Sequence, residues 1–346
     1  MNFVSISEKK MGLTNQIFIL ANGIANAVKK KCNVAVVGEF LCDYNSNKYT
    51  DISNVLDIER TSAYVKQKYN LLLISKHDFK FDLLNVTYGT EYNKIDITQN
   101  IKDKYYHDKK LHINKNVIFN EIQGDPHPCV EKNVWFKYKI NNNIIIDKYE
   151  ENLSDDIDYT NDNYIPVWIT GWPVEKRGVF LDVLTHIVYD KQFLDISKQQ
   201  LSDINLTNKV NLIHLRIEDD AIRHWSMMND LSHETFKAKL EDMYIKMIQD
   251  YIDKNDTTII LSSSFDNNVV SYLNENKYNT FFTDNKKFKD RELNAIVDLF
   301  ISKHCNNVFI GAYNTNGDNG STFSCYIYET LYAKDITYKY IDLDHL

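Results

Sequence analysis

From about residue 209 onward, short β-branched runs alternate with amphipathic stretches of helical length, and no other feature of the 346-residue chain restricts its fold as much. Val210, Leu212, Ile213 and Leu215 predict a strand over residues 209–216. Ser232 is placed to cap a helix over 232–252, with Phe236, Leu240, Met243, Tyr244 and Met247 along one face. Further strands are expected at 257–261, 280–282, 308–310 and 336–341, and helices at 266–274, 291–303 and 321–331. Strand and helix in regular succession at this spacing predict a doubly wound parallel sheet.

The N-terminal end starts in the same way. A β-prone run at 3–7 leads through a polar loop into Leu13, Ile17, Leu20, Ala21, Ile24, Ala25 and Val28, spaced by threes and fours as on a buried helix. A second strand is expected at 34–37, so the chain opens as β-loop-α-β. Between 43 and 165 only 71–74 and 117–119 read as strands. The later part of the polar stretch 147–162 reads as a loop, and its acidic cluster Asp155-Asp156-Ile157-Asp158 lacks the histidines and spacing of a metal site. Chain length suggests two domains, divided within 185–205: residues 1–194 and residues 195–346.

Charge narrows the function classes. The net charge is −8, and the short lysine runs at 29–31 and 109–110 form no basic stripe, which argues against a nucleic-acid partner. No apolar run approaches the roughly 20 residues that span a bilayer. Five widely spaced cysteines without a C-x-x-C pair, and no apolar leader at the N-terminus, lead to the expectation of a cytoplasmic protein.

Three stretches carry chemistry, each at a strand-to-loop transition. Residues 311–324, Gly-Ala-Tyr-Asn-Thr-Asn-Gly-Asp-Asn-Gly-Ser-Thr-Phe-Ser, lie between a buried strand and a helix. Glycines there let backbone amides approach an anion. Ser321 and Thr322 add hydroxyls, and the helix N-terminus adds partial positive charge. The alternative is a polar loop in which Ser321 serves only as a helix cap. At the end of the 209–216 strand, His214 and Arg216 share a face. Arg216 can fork onto phosphate oxygens and stabilise a departing nucleoside diphosphate, or can simply pair with a neighbouring carboxylate. In the first loop, Gly12 permits close backbone approach, while Asn15 and Gln16 can bond sugar hydroxyls or do no more than cap the helix.

These residues also resemble a family. Met11-Gly12-Leu13-Thr14-Asn15-Gln16-Ile17-Phe18 is similar to the opening Gly-Leu-Gly-Asn-Gln motif of the α-1,2-fucosyltransferases, with Thr14 in place of the second Gly. His214-Leu215-Arg216 with Asp219 resembles the His-x-Arg-x-x-Asp motif shared by the α-1,2, α-1,6 and protein O-fucosyltransferases. Ile217 and Glu218 depart from its usual Arg-Gly. The stretch Ile169-Thr170-Gly171-Trp172-Pro173-Val174-Glu175-Lys176 looks like a degraded form of a further family segment. Asp298 through Phe309-Ile310-Gly311 to Ser321-Thr322-Phe323-Ser324 resembles the last motif.

The resemblance implies a GT-B architecture, two Rossmann-like α/β domains facing across a cleft. It implies an inverting transfer of a deoxy-sugar, usually fucose from GDP-fucose, to a glycan hydroxyl, with no metal and no other cofactor. Arg216 is then expected at the donor phosphates with His214 beside it, and Asp298 at the nucleotide base. Ser321, Thr322 and Phe323 are expected to line the diphosphate and base pocket. Arg216 and Asp219 form the expected catalytic pair. Glu218, Asp219 and Glu39 are all candidates to take the acceptor's proton, and none is singled out.

Two other readings keep the same fold, a non-catalytic carbohydrate- or nucleotide-binding protein and a transferase of another deoxy-sugar such as rhamnose. A nicotinamide-dependent oxidoreductase is disfavoured because the first loop lacks G-x-G-x-x-G. A metal-dependent GT-A transferase is disfavoured because the only tidy Asp-x-Asp near a strand is Asp342-Leu343-Asp344.

Overall fold

The computed structural model describes residues 3–6, 11–43, 45–141, 143–154, 156–158, 178–202, 204–283, 287–312, 320–331, 334–343 and 346. The family-like stretch at 169–176, most of the Gly-rich turn (313–319), Asp155 and Asp344 lie outside them.

The C-terminal half forms a five-stranded sheet in the order Thr280–Phe282, Thr257–Leu261, Val210–His214, Val308–Gly311, Thr337–Tyr340, with every pairing parallel. Numbered by sequence within this sheet, the order is 3-2-1-4-5. The chain therefore reverses direction across the sheet between Val210–His214 and Val308–Gly311. Such a switch point opens a crevice at the carboxyl ends of the two strands, because their following helices go to opposite faces. The central strands are buried along their whole length, as a sheet covered on both faces requires.

The N-terminal half holds a smaller parallel sheet, Phe3–Ile6, Val34–Val37 and Leu72–Ser75. The Leu13–Lys29 helix follows the first strand. It buries more than the expected stripe, since Phe18 and Ile19 are also enclosed. The cause is packing on two sides: Phe18 meets Phe180 edge-on at 5.8 Å and Tyr326 of the C-terminal half at 6.1 Å. A single apolar core runs through both halves at this point. At roughly 1.5–3 kcal/mol per fully buried large side chain, this helix is a principal tie between them. The expected boundary at 194/195 falls inside the Lys191–Ser202 helix, which packs on the Arg291–Ser302 helix.

In sequence between the two parallel sheets comes an antiparallel sheet that sequence patterning left unread. Its order is Asn143–Glu150, Asn133–Ile140, Phe81–Gly89, Lys94–Asp96. Its inner residues Phe81, Leu83, Val86, Tyr88, Val134, Phe136 and Tyr138 join Val34, Val36 and Ile74 in one core, so this sheet covers a face of the N-terminal parallel sheet. Residues 117–119, expected as a strand, form none. Phe119 is buried beneath the antiparallel sheet against Tyr88, Ile118 is 55% exposed, and a short helix, Asn120–Gln123, follows. Of the later part of the polar stretch 147–162, expected as a loop, the described residues include one short strand. Asn143–Glu150 is a full strand, and Ile157–Asp158 pairs with Lys110–Ile113. Asp156 accepts the Lys115 N–H at 2.7 Å.

Candidate functional site

A cavity of about 830 Å³ opens at the switch point, within the size range of small-molecule sites. The first turns of four helices reach it: Leu13–Lys29, Asp219–Met228, Arg291–Ser302 and Thr322–Leu331. First-turn N–H groups have no intrahelical acceptor, so four helix N-termini in one cavity give a field suited to an anion.

Arg216 stands on the cavity wall just beyond the Val210–His214 strand. Tyr244, fully buried, staples this strand end. Its hydroxyl donates to His214 O at 2.8 Å and accepts the Arg216 N–H at 3.2 Å. The guanidinium donates to Glu218 at 2.7 Å and to Asp220 at 3.2 Å, and lies 6.0 Å from the Trp225 ring. Glu218 also accepts the Ser263 hydroxyl at 2.8 Å. Burial works to raise the Glu218 carboxyl, but Arg216 and the Ser263 hydroxyl hold it below its ordinary value. Arg216 is thus a fixed cation, pre-aimed by two carboxylates.

His214 is buried with Nδ1 2.6 Å from Ser324 Oγ and its ring 5.0 Å from that of Phe323. Burial pushes its imidazole down to about 4, so it is neutral near pH 7. Gly311 makes this contact possible: a Cβ there would meet Ser324 Oγ at 3.0 Å and Phe309 at 2.8 Å. Ser321 caps the Thr322–Leu331 helix, its hydroxyl accepting the Ser324 N–H at 3.4 Å. Thr322 and Phe323 line the cavity at that helix end.

Asp298 lines the cavity from the Arg291–Ser302 helix, 9% exposed. Burial raises its carboxyl to about 7, against a hydrogen bond from Thr283. Six residues earlier on the same helix stands Glu292, 4% exposed, whose Oε2 accepts the Leu13 N–H at 2.6 Å across the two halves. Burial also raises this carboxyl.

The cavity therefore brings together Gly12, Asn15, His214, Arg216, Asp298, Ser321, Thr322 and Phe323. Gly12 has an ordinary extended backbone, φ −62°, and among the described residues an added Cβ would meet only Glu292 Oε2 at 3.7 Å. Among the described residues, the buried Asn15 Oδ1 has no hydrogen-bond partner.

Three expected residues lie elsewhere. Gln16 turns away from the cavity to Leu41, accepting its N–H at 2.8 Å and donating to its carbonyl at 2.9 Å, and also donates to Met11 O at 2.9 Å. It does the work of a strand partner between helix and loop. Gln16→Ala is expected to cost about 2–3 kcal/mol in urea unfolding, for three lost bonds to main-chain groups. Ligand affinity at the cavity should change less than threefold, and a larger loss would return Gln16 to the site. Asp219 points to solvent with its side chain 86% exposed, 4.0 Å from His233. Glu39 faces His77 at 3.2 Å and lines a separate small pocket.

Sequence reasoning missed Trp225, Phe288, Lys289, Arg291, Glu292 and Asn294 as cavity residues. The last five follow the Thr280–Phe282 strand, the third strand end at this edge of the sheet. That position is the signal that was available.

Neither models of known protein families nor curated protein sequences match the chain. Among solved structures it is similar to POFUT1, a protein O-fucosyltransferase of GT-B fold. The apo-form aligns at 10% identity over 97% of each chain with a TM-score of 0.50. A complex of POFUT1 with GDP-fucose aligns at 10% identity over 98% of this chain and 97% of that one, also with a TM-score of 0.50. At this identity the likeness is one of fold: the chain is an α/β protein of GT-B architecture.

Proposed function

We propose that this protein is a fucosyltransferase-like glycosyltransferase that moves a deoxy-sugar, fucose first among them, from a GDP-sugar to a glycan hydroxyl with inversion and without a metal. The observation that carries the reading is the convergence of Arg216 with four helix N-termini on one cavity at the switch point of a doubly wound sheet. The GT-B fold shared with a protein that has been solved with GDP-fucose supports the choice of donor.

In this reading the diphosphate lies between Arg216 and the start of the Thr322–Leu331 helix, where Ser321 and Thr322 offer hydroxyls. Arg216 and the helix N-terminus stabilise the charge that builds on the diphosphate as the sugar leaves. Neutral His214 adds no competing charge and fixes Ser324. Asp298 accepts the two N–H donors of a guanine edge. The subtype within the superfamily, α-1,2 by its motifs, concerns only the acceptor, which enters from the side of Gly12 and Asn15.

Thermal unfolding with nucleoside diphosphates tests the donor. Saturating GDP, at about 100 times its Kd, is expected to stabilise the protein by about 2.7 kcal/mol, seen as a Tm rise of about 4 °C. UDP and ADP should give less than half of that, and EDTA should change nothing. Equal shifts for all three nucleotides would remove the guanine assignment. A GDP effect abolished by EDTA would remove the metal-free one.

A further inference from the structure

We infer that Glu292 is the general base of the transfer, receiving the proton of the acceptor hydroxyl on Oε1. This deepens the reading above and rests on it.

The inference starts from how the carboxylate is held. Among the described residues its only hydrogen-bond donor is Leu13 N–H, 2.6 Å from Oε2. Oε1 is left for whatever enters the cavity that Glu292 lines. The N-terminus of the Leu13–Lys29 helix thus fixes the carboxylate's orientation through Oε2 alone.

Position supports the same role. Glu292 and Asp298 lie on one helix, six residues apart, which is about 9 Å along its axis. With Asp298 at the nucleotide end, Glu292 lies toward the first loop, where the acceptor enters. Asn15, two residues along the helix from Leu13, lines the same cavity with a half-buried side-chain amide. An amide that can hold one hydroxyl and a carboxylate that can deprotonate another suit a polyol.

The other carboxylates are committed or distant. Glu218 and Asp220 are bonded to Arg216, and Asp219 points to solvent. Burial raises the Glu292 carboxyl, with Asp43 adding to the rise and Leu13 N–H, Arg291 and Arg216 opposing it, which makes it a better proton acceptor than a solvated glutamate. The step balances simply. The acceptor O–H proton passes to Oε1 as the acceptor oxygen bonds to the anomeric carbon. The bond from that carbon to the diphosphate breaks, and its electron pair leaves on GDP.

The test uses two acceptors that differ in whether they need a base. Water must lose a proton to attack the sugar, whereas azide attacks as an anion. With GDP-fucose as donor, Glu292→Gln is expected to lower hydrolysis at least 100-fold. Formation of fucosyl azide should stay within about threefold of the unaltered protein, and so should the Kd for GDP. Glutamine keeps an oxygen for the Leu13 N–H, so the fold should survive, and an unchanged Tm checks that. Parallel loss of hydrolysis and azide transfer would make Glu292 a positioning residue and overturn the inference, as would hydrolysis unchanged by the substitution. In both cases the transferase reading stands. An unaltered protein that cleaves no GDP-fucose in water or azide overturns both.

Discussion

Arg216→Ala is expected to lower cleavage of GDP-fucose by about 1000-fold in kcat/KM, roughly 4 kcal/mol of lost transition-state stabilisation. The size of the effect follows from what remains. Arg216 is the cation against which Glu218 and Asp220 are balanced. Without it, two carboxylates face the position of a leaving diphosphate, so the variant loses an attraction and gains a repulsion. Arg216→Lys should recover only part of the rate, because an ammonium is a point charge and cannot hold Glu218 and a phosphate oxygen in one planar fork. Glu218→Gln added to Arg216→Ala should regain about tenfold over the single variant by removing the uncompensated charge. Steady-state donor cleavage for the three variants, with Kd for GDP measured alongside, checks the set. A loss of less than tenfold for Arg216→Ala would take the diphosphate away from this strand end. A double variant no better than the single one would mean that Glu218 does not face it.

Glu218 also marks how this chain differs from the motif that it resembles. A glycine there would leave the Arg216 guanidinium free to turn. Glu218, anchored by the Ser263 hydroxyl, holds it in place before any ligand arrives. Under the proposed function, a pre-aimed cation needs less ordering on binding, at the cost of a carboxylate that would compete with the diphosphate for the same N–H donors.

The C-terminal half was legible in the sequence because its strands are short, β-branched and separated by helices of ordinary length. Each expected element there lies within a few residues of its place. The crevice followed from that regularity, since Arg216 and Ser321 both stand just past strand ends. The antiparallel sheet was not read, although Val134, Phe136, Tyr138 and Ile140 alternate cleanly and Ile140, just before Asn141 at φ 52°, pairs with Asn143 of the next strand. Charged and aromatic residues on its outer face, such as Trp135 with Lys94 3.8 Å over its ring, hide the alternation from a reading by composition. Gln16 shows a different limit. A polar residue beside a site loop can bind a ligand or can satisfy the backbone, and only the position of Leu41, 25 residues away, separates the two. Glu292 was illegible for the same reason, as its partner Leu13 is 279 residues distant.

Asp298→Asn is expected to make the free protein more stable and the donor site nearly useless. The Asp298 carboxyl rises from 3.8 to about 7 on folding because burial disfavours its charge. A group raised in this way binds its proton more tightly when folded. Its contribution to stability is greatest below pH 4, declines as pH rises through the interval from about 4 to 7, and is fully lost above it. Asparagine does not titrate, so the gap between variant and parent should open over that interval and then hold, reaching up to about 4 kcal/mol at pH 8. In thermal unfolding this is a Tm advantage of about 5 °C or more at pH 8 and almost none at pH 4. Binding should move the other way. An ionised carboxylate matches the two N–H donors of guanine, and each charged hydrogen bond contributes about 1.5–3 kcal/mol. Asparagine turns one of those acceptors into a donor, so affinity for GDP-fucose should fall at least 100-fold at pH 8. Xanthosine diphosphate, which offers one N–H and one carbonyl at the same edge, should bind the variant better than GDP does. In the parent protein, GDP-fucose affinity should itself weaken about tenfold between pH 8 and pH 6 as Asp298 takes up its proton, a dependence that the variant lacks. Esterification of the donor diphosphate at both ends keeps the ligand's own charge constant over that range. A variant that gains stability but still prefers GDP would leave Asp298 as a buried acid of the wall and put the guanine elsewhere in the cavity. A variant unchanged in stability at pH 8 would mean that the carboxyl is not held against its charge in the folded protein.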